Sequence, residues 1–493
     1  MKRSSTIRAS HVNTGTSFRQ SYRAGSKRGL RHPKLVVEEE QSEAVPYGGL
    51  SLAATLVRSL NLPRSLDNQL DMLRDRRPYR ESDHILTHVY NLYLGGNSIE
   101  DISYLQGSEG MQRMLGADRI PDPTTAGDFL KRFDEKNLRA LDAVIDEAHE
   151  RVWRKAHGGK KRQVGYVDLD SHIHPIYGDQ KEGADFSYTG AYGYHPFVIS
   201  LAGTQEVLRL HNRSGNVTSA DGVAVELERV MPLLTRNFRT IIVRGDTAFV
   251  QREIFEVCEE FDQYFAIGAA ALPNRVKIAQ AVPEAAWQPF SAHSPVKKSA
   301  ETPRRRRGTN LRRQTARRRK MRDLRLQRQW ISEVPYAPDR SEEEYRLVIR
   351  RQKIEESKQG ELFVIYRYRF VLTNLPTSYP AEEVIRSAYR RCDQENVIEQ
   401  LQHGVSAMRM PSGSFAANSA FLLCARLAFN LKAWLGMLAL PREVVRWEWK
   451  RFRQAFVYFV ARVIYKARQI IVRIADAHRF AQQVRAGILQ LQV

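Results

Sequence analysis

Gln163 to Gly178 reads QVGYVDLDSHIHPIYG, and it lies between a Gly-Lys-Lys-Arg turn and a Pro-Ile-Tyr-Gly turn. Val164, Tyr166 and Leu169 are strand formers, so the run predicts a strand that ends in carboxylates. A buried carboxylate is heavily penalised unless a basic side chain or a divalent metal compensates its charge. Asp168 and Asp170 are two residues apart and therefore share one face of the strand, so periodicity does not choose between them. A second strand of the same kind, Thr240 to Asp246 (TIIVRGD), again closes on an Asp. Two strands that each deliver a carboxylate to one edge of a sheet point to a metal site.

Around these strands, residues 160 to 270 alternate in a fixed order. Strands are expected over 164–170, 195–201 and 206–211, then a helix over 219–234. A strand over 240–245, a helix over 250–260 and a strand over 263–268 complete the set. Three early strands, a helix and further strands make a mixed α/β sheet, in the order used by RNase H-like nuclease folds.

Residues 1–34 carry nine Lys or Arg and no acid, and 1–45 is expected to be a mobile basic arm. From 46 to 158 the apolar spacing is helical, with Gly95-Gly96 stopping one helix and Pro123 opening another. Short helices with tight turns suit a DNA-binding domain of helix-turn-helix type, and equally a plain packing domain. Residues 159–271 form the first part of the catalytic core. Residues 272–375 are expected to be a β-rich insertion, with strands over 345–349 and 362–374 and a basic loop. Between Arg304 and Arg328 there are thirteen basic residues and one acid. Such a run cannot make a core, and Arg304, Arg305, Arg306 and Arg307 are candidate phosphate contacts. Residues 376–440 return to the core with a helix over 380–403, and 441–493 is expected to be a C-terminal helical region. Both the N-terminal and the C-terminal regions are thus expected to be all-α.

The 493 residues carry 77 Lys plus Arg against 55 Asp plus Glu, a net charge of +22. A surplus of that size marks a polyanionic partner, with nucleic acid first. No signal peptide is visible, and the most apolar stretch, 415–440, is interrupted by Arg426 and Lys432. The expectation is a soluble, cytosolic protein with no membrane partner. Cys258, Cys392 and Cys424 are far apart and form neither a zinc nor a disulfide pattern. No phosphate loop of the ATP-binding kind and no nucleophile elbow is present.

Cleaving or joining a DNA phosphodiester needs an activated water or 3′-hydroxyl and neutralised phosphate charge. Two divalent ions on carboxylate oxygens supply both. A helix against the sheet can present a third carboxylate, and Arg391 lies four residues before Glu395. Several motifs then occur in order: YVDLDS (166–171), SGNVTSADG (214–222), VRGDTAF (243–249), YRFVLTNLP (368–376) and RCDQENVIEQLQHGV (391–405). Over about 160–440 the chain resembles DDE transposases of bacterial insertion sequences, in the cut-and-paste branch whose RNase H-like domain carries a β-strand insertion.

The resemblance implies a catalytic and metal-binding triad of Asp170, Asp246 and Glu395 holding two Mg²⁺, with Mn²⁺ able to substitute. Asp168 and Glu399 remain the alternatives for the first and third acids. The family's helix signature places a phosphate-contacting Arg at Arg391. Its Tyr is displaced, since Ala388 holds the expected place and Tyr389 lies one residue on, and its Lys position is Gln402. The implied partners are terminal repeats and target DNA, both double-stranded, and a second copy of the chain in a homodimer. Two other readings stay open: a nuclease of the same fold that cuts without joining, and a non-catalytic DNA-binding protein derived from a transposase. His172, His174 and His195 are weaker ligand candidates, because oxygen suits Mg²⁺ better. Tyr188, Tyr192 and Tyr194 suit packing as well as base stacking.

Overall fold

A computed structural model describes residues 44–178, 180–291, 323–338, 343–358, 361–466, 469–474 and 478–492. The basic segment 1–43 and Arg304–Arg307 lie outside the described residues. The first described part is β1 (Ala44–Val45) followed by α1 (Leu50–Ser59), α2 (Leu62–Gln69), α3 (Glu81–Leu94), α4 (Ile102–Gln106), α5 (Glu109–Leu115), α6 (Pro123–Leu130) and α7 (Glu135–His157). Three of these helix starts are set by side-chain caps. Ser108 accepts from the Met111 N–H, Asp122 from Thr125 and Asp134 from Asn137, each satisfying a donor that the helix leaves unpaired. α3 stops at Gly95, whose φ of 102° is left-handed, as the Gly95-Gly96 pair predicts.

The chain then enters the sheet. β2 (Arg162–Ser171) is followed by the short strands β3 (His174–Pro175), β4 (Asp185–Phe186) and β5 (Tyr192–Tyr194). Next come β6 (Phe197–Leu201), β7 (Glu206–His211), α8 (Val223–Asn237), β8 (Phe238–Gly245), α9 (Arg252–Glu260), β9 (Tyr264–Ala269) and α10 (Pro273–Ala281). β10 (Gln288–Pro289), β11 (Asp323–Tyr336), β12 (Tyr345–Lys358) and β13 (Glu361–Thr373) follow. The nine-stranded sheet has the order β10-β11-β12-β13-β9-β8-β2-β6-β7. The strand-rich stretch after 288 is thus continuous with the central sheet, because β13 pairs antiparallel with β9 at Phe370↔Ala269. β2, β8 and β9 are mutually parallel, so their carboxyl ends share one edge, the usual place for a site in an α/β sheet.

The C-terminal part comprises α11 (Ala381–Tyr389), α12 (Cys392–Glu399), α13 (Phe415–Leu438), α14 (Trp449–Phe456), β14 (Ala461–Lys466), β15 (Gln469–Ile474) and α15 (Ala481–Leu491). Two expectations are corrected here. The C-terminal region is not all-α: β14 and β15 form a hairpin, and β1 adds to it as a third strand. Val463, Ile464, Ile470, Ile471 and Val472 are β-branched and pair across that hairpin, a composition that favours strand over helix. The single helix expected over 380–403 is broken at Arg390–Arg391 and ends in a π-helical turn over Gln400–Gly404.

α13 is buried along almost its whole length. It has the length and composition of a membrane span, yet 94% of its most apolar window is buried within the fold. Its polar groups are paired inside: Arg426 with Asp142 and Asp146, and Asn430 with both the N–H and the carbonyl of Val207. One face of the sheet joins α13 and α7 in the main core. The other face packs Ile242, Ala266, Val348 and Val371 against Val384, Ile385 and Ala388 of α11.

Candidate active site

A cavity of about 720 Å³ opens at the carboxyl ends of β2, β8 and β9. Asp170 near the end of β2, Asp246 just after β8 and Glu395 on α12 all line it, together with Arg367, Arg369, Tyr389 and Arg391. The fold therefore brings the three acids expected from sequence to one place, although 149 residues separate Asp246 from Glu395.

Each acid is positioned locally. Asp246 Oδ1 accepts the Ala248 N–H at 2.9 Å and caps the turn Thr247–Phe249, leaving the carboxylate exposed. Gly245 allows this turn to fold back, since a Cβ there would stand 2.8 Å from the Phe249 Cβ. Asp170 Oδ1 accepts the Ser171 N–H at 2.8 Å. The Arg391 guanidinium lies 3.7 Å from Asp170 Oδ2 and donates to the Leu169 carbonyl at 2.9 Å, which ties α12 to β2. Gln394 meets Ser200 of β6 through a buried side-chain hydrogen bond, so the helix carrying Glu395 is clamped across two strands. Burial, opposed by Arg391 and the Ser171 N–H and aided by Asp246 and Glu395, raises the Asp170 carboxyl to about 6.

The alternatives fall elsewhere. Asp168 is 1% exposed and holds Arg244 through both carboxylate oxygens, at 2.7 and 2.8 Å. Its charge is thereby compensated, and it does not line the cavity. Glu399 is exposed at the end of α12 and Gln402 sits in the π-helical turn; neither lines the cavity. The Tyr389 ring is flanked by the guanidinium carbons of Arg350 and Arg369, at 5.4 and 5.8 Å. His195 bonds Ser171 Oγ and the Val217 carbonyl, and burial lowers the pKa of His172, His174 and His195. Tyr194 is buried and donates to the Glu182 carbonyl, whereas Tyr188 is exposed.

Arg367 and Arg369 are the cavity residues that sequence reading did not single out. They alternate in the strand motif YRYRF and so share one face of β13. The motif shows that parity, but not that β13 runs beside β9, because its pairing partner lies about a hundred residues away.

Three carboxylates that offer oxygen donors, of which only Asp170 has a guanidinium within ion-pair distance among the described residues, fit a hard divalent cation. Burial is the main cause of the rise at Asp170, and the smaller contribution of Asp246 and Glu395 is a repulsion that such a cation would relieve. Among the described residues, a different trio, Asp142, His211 and Glu226, brings its ligand atoms within 4.8 Å of one another. The cavity acids do not meet that spacing. The tighter trio is nonetheless a poor metal site, because Arg426 holds Asp142, and Arg209 and Arg229 hold Glu226. A metal there would have to displace guanidinium partners that already neutralise the carboxylates.

The family described as transposase DDE domain, group 1, matches residues 27–493. Among solved structures the chain is similar to a piggyBac transposase in a cryo-EM synaptic complex with hairpin DNA. The identity is 10% and the TM-score 0.30, over 91% of this chain and 85% of that one. No curated protein matches.

Proposed function

Because the chain belongs to the transposase DDE domain group 1 family, we propose that it moves a bacterial insertion sequence by cut-and-paste transposition. In this reading it binds the terminal inverted repeats, cleaves the DNA at the element's ends and joins the freed 3′-hydroxyls to target DNA. The observation that carries it is the meeting of Asp170, Asp246 and Glu395 on one cavity edged by Arg367, Arg369 and Arg391. The order β7-β6-β2-β8-β9, antiparallel then parallel, supports an RNase H-like core. The stretch 272–375 is then the insertion that interrupts it.

Asp170, Asp246 and Glu395 would hold two Mg²⁺ ions, or Mn²⁺, which when bound supply Lewis-acid activation and neutralise phosphate charge. The chain's own side chains do the rest. Arg391 fixes the end of β2 through the Leu169 carbonyl and presents guanidinium N–H groups to a phosphate beside Asp170. Arg367 and Arg369 line the opposite wall and are exposed, so they grip the backbone on the other side of the scissile bond. Tyr389, between Arg350 and Arg369, keeps the Arg369 guanidinium directed along that wall. We place the protein in the bacterial cytoplasm, acting as a homodimer on paired ends.

The test is cleavage and strand transfer on a duplex carrying the element's end, with Mg²⁺, for wild type, Asp170→Ala and Asp246→Ala. Cutting and joining lost in both variants is the expected result. Cutting without joining by the wild type assigns a nuclease. Binding without cutting assigns a non-catalytic DNA-binding protein.

A further inference from the structure

The other end of β2 opens into a second cavity, of about 1040 Å³. Arg162, Arg442, Arg446, Arg451 and His157 line it, and Glu443 is the one acid that does so. Among the described residues, none of the four arginines forms an ion pair with a carboxylate. Behind its wall, Arg162 Nη1 and His157 Nε2 are shut off from solvent and have no hydrogen-bond partner among the described residues. An unpaired buried polar atom is costly and rare in folded proteins. Burial and then the Arg162 charge hold the His157 imidazole below its usual range, with Arg442 adding to the effect. Glu206 acts the other way on both residues. Its carboxylate is already engaged by His149, Trp153 and Trp434, however, and faces the core. The cavity thus gathers four guanidinium groups around a single acid. Arg451 is set on the Trp447 ring at 3.7 Å, a stacking that leaves the edge of its guanidinium fork open to an oxyanion.

We propose that this cavity binds phosphate groups of a duplex DNA backbone, at a place separate from the catalytic cavity. Asp170 lies eight residues along β2 from Arg162, about 27 Å of strand, so one phosphate cannot serve both places. The proposal rests on the DNA-transposase reading and adds to it a second anchoring point on the far edge of the sheet. The phosphate chemistry would also suit a free oxyanion, and the experiment separates the two sources.

The full chain, as wild type and as the Arg442→Ala/Arg446→Ala double variant, is titrated with duplex DNA over a range of salt. Both arginines are exposed and neither touches the catalytic cavity, so cleavage at saturating DNA should stay unchanged. The slope of log affinity against log salt should shrink by up to about 2 in the double variant, at roughly 0.9 for each phosphate that the protein no longer neutralises. An unchanged slope, with wild type still binding and cutting, overturns this site and leaves the transposase reading intact. No duplex binding by the wild type overturns both. Thermal stabilisation by inorganic phosphate that is absent in the variant, with the DNA slope unaltered, removes DNA as the source and assigns the cavity to a free oxyanion.

Discussion

Arg244 of β8 donates to both carboxylate oxygens of Asp168 on the neighbouring strand β2, at 2.7 and 2.8 Å, and to the Ser387 carbonyl of α11 at 2.9 Å. Two acids of one strand face therefore have different fates. Asp168 and its arginine are at most 3% exposed and hold the sheet to α11. Asp170, two residues on, is free to face the cavity. Removing one partner of a buried pair leaves the other charge uncompensated, at a cost of about 3–5 kcal/mol. Asp168→Asn should lower the urea midpoint strongly, and Asp168→Asn/Arg244→Met should recover much of the loss. Equal destabilisation by Asp168→Asn and Asp170→Asn would count against this division of roles.

Asp170 carries a pH signature. Its carboxyl titrates near 6 in the fold against 3.8 for the free side chain, so the folded state holds the extra proton between those values. Stability from this group accordingly falls as pH rises from about 4 to 6, and the penalty is complete above 6. Asp170→Asn should gain up to roughly 3 kcal/mol over wild type near pH 7.5 and almost nothing near pH 4. Added Mg²⁺ should stabilise the wild type through binding linkage and leave Asp170→Asn unmoved. A pH-independent gain, or equal stabilisation of both proteins by Mg²⁺, would overturn this account of Asp170.

The legible part of this chain was the part built from local pattern. Val164, Tyr166 and Leu169 are strand formers ahead of Asp170, as are Ile241, Ile242 and Val243 ahead of Asp246, so both strand ends could be read. Glu395 came from its place beside Arg391 in a motif. The break at Arg390–Arg391 was not legible, since neither Gly nor Pro marks it; it follows from the Arg391 hydrogen bond to Leu169, 222 residues away. The same holds for β13 beside β9, where only the tertiary pairing brings Arg367 and Arg369 to the acids. That Asp168 is engaged while Asp170 lines the cavity follows from Arg244, which alternation alone does not place opposite Asp168.

Arg367 and Arg369 yield a separable effect. Both line the cavity from β13 and are exposed, so neutralising them should not disturb the core. Arg367→Ala and Arg369→Ala should each weaken duplex binding and reduce the salt slope by about 1. In Arg369→Ala the cleavage rate at saturating DNA should also fall, because Tyr389 loses one of its two arginine neighbours. A salt slope unchanged in both variants would remove β13 from the DNA interface.

Lys432 tests the buried side of the fold. It lies on α13 at 1% exposure, donates to the Trp447 carbonyl and faces the rings of Phe429 and Trp449 at 5.8 and 6.0 Å. Burial pushes its pKa from 10.5 down to about 7, with Glu448 acting in the opposite direction. The unfolded chain keeps the proton up to about 10.5 while the fold releases it near 7, so stability rises with pH across that window and the penalty is complete below 7. Methionine has a similar length and no charge to desolvate, but it leaves the Trp447 carbonyl without this donor. Lys432→Met should therefore be more stable than wild type near pH 6, by a few kcal/mol at about 1.4 kcal/mol per pKa unit. The advantage should shrink as pH rises and reverse near pH 10, where only the missing hydrogen bond remains. Urea midpoints of both proteins at matched pH decide the matter, and a difference that stays constant from pH 6 to 10 would show that Lys432 does not titrate inside the fold.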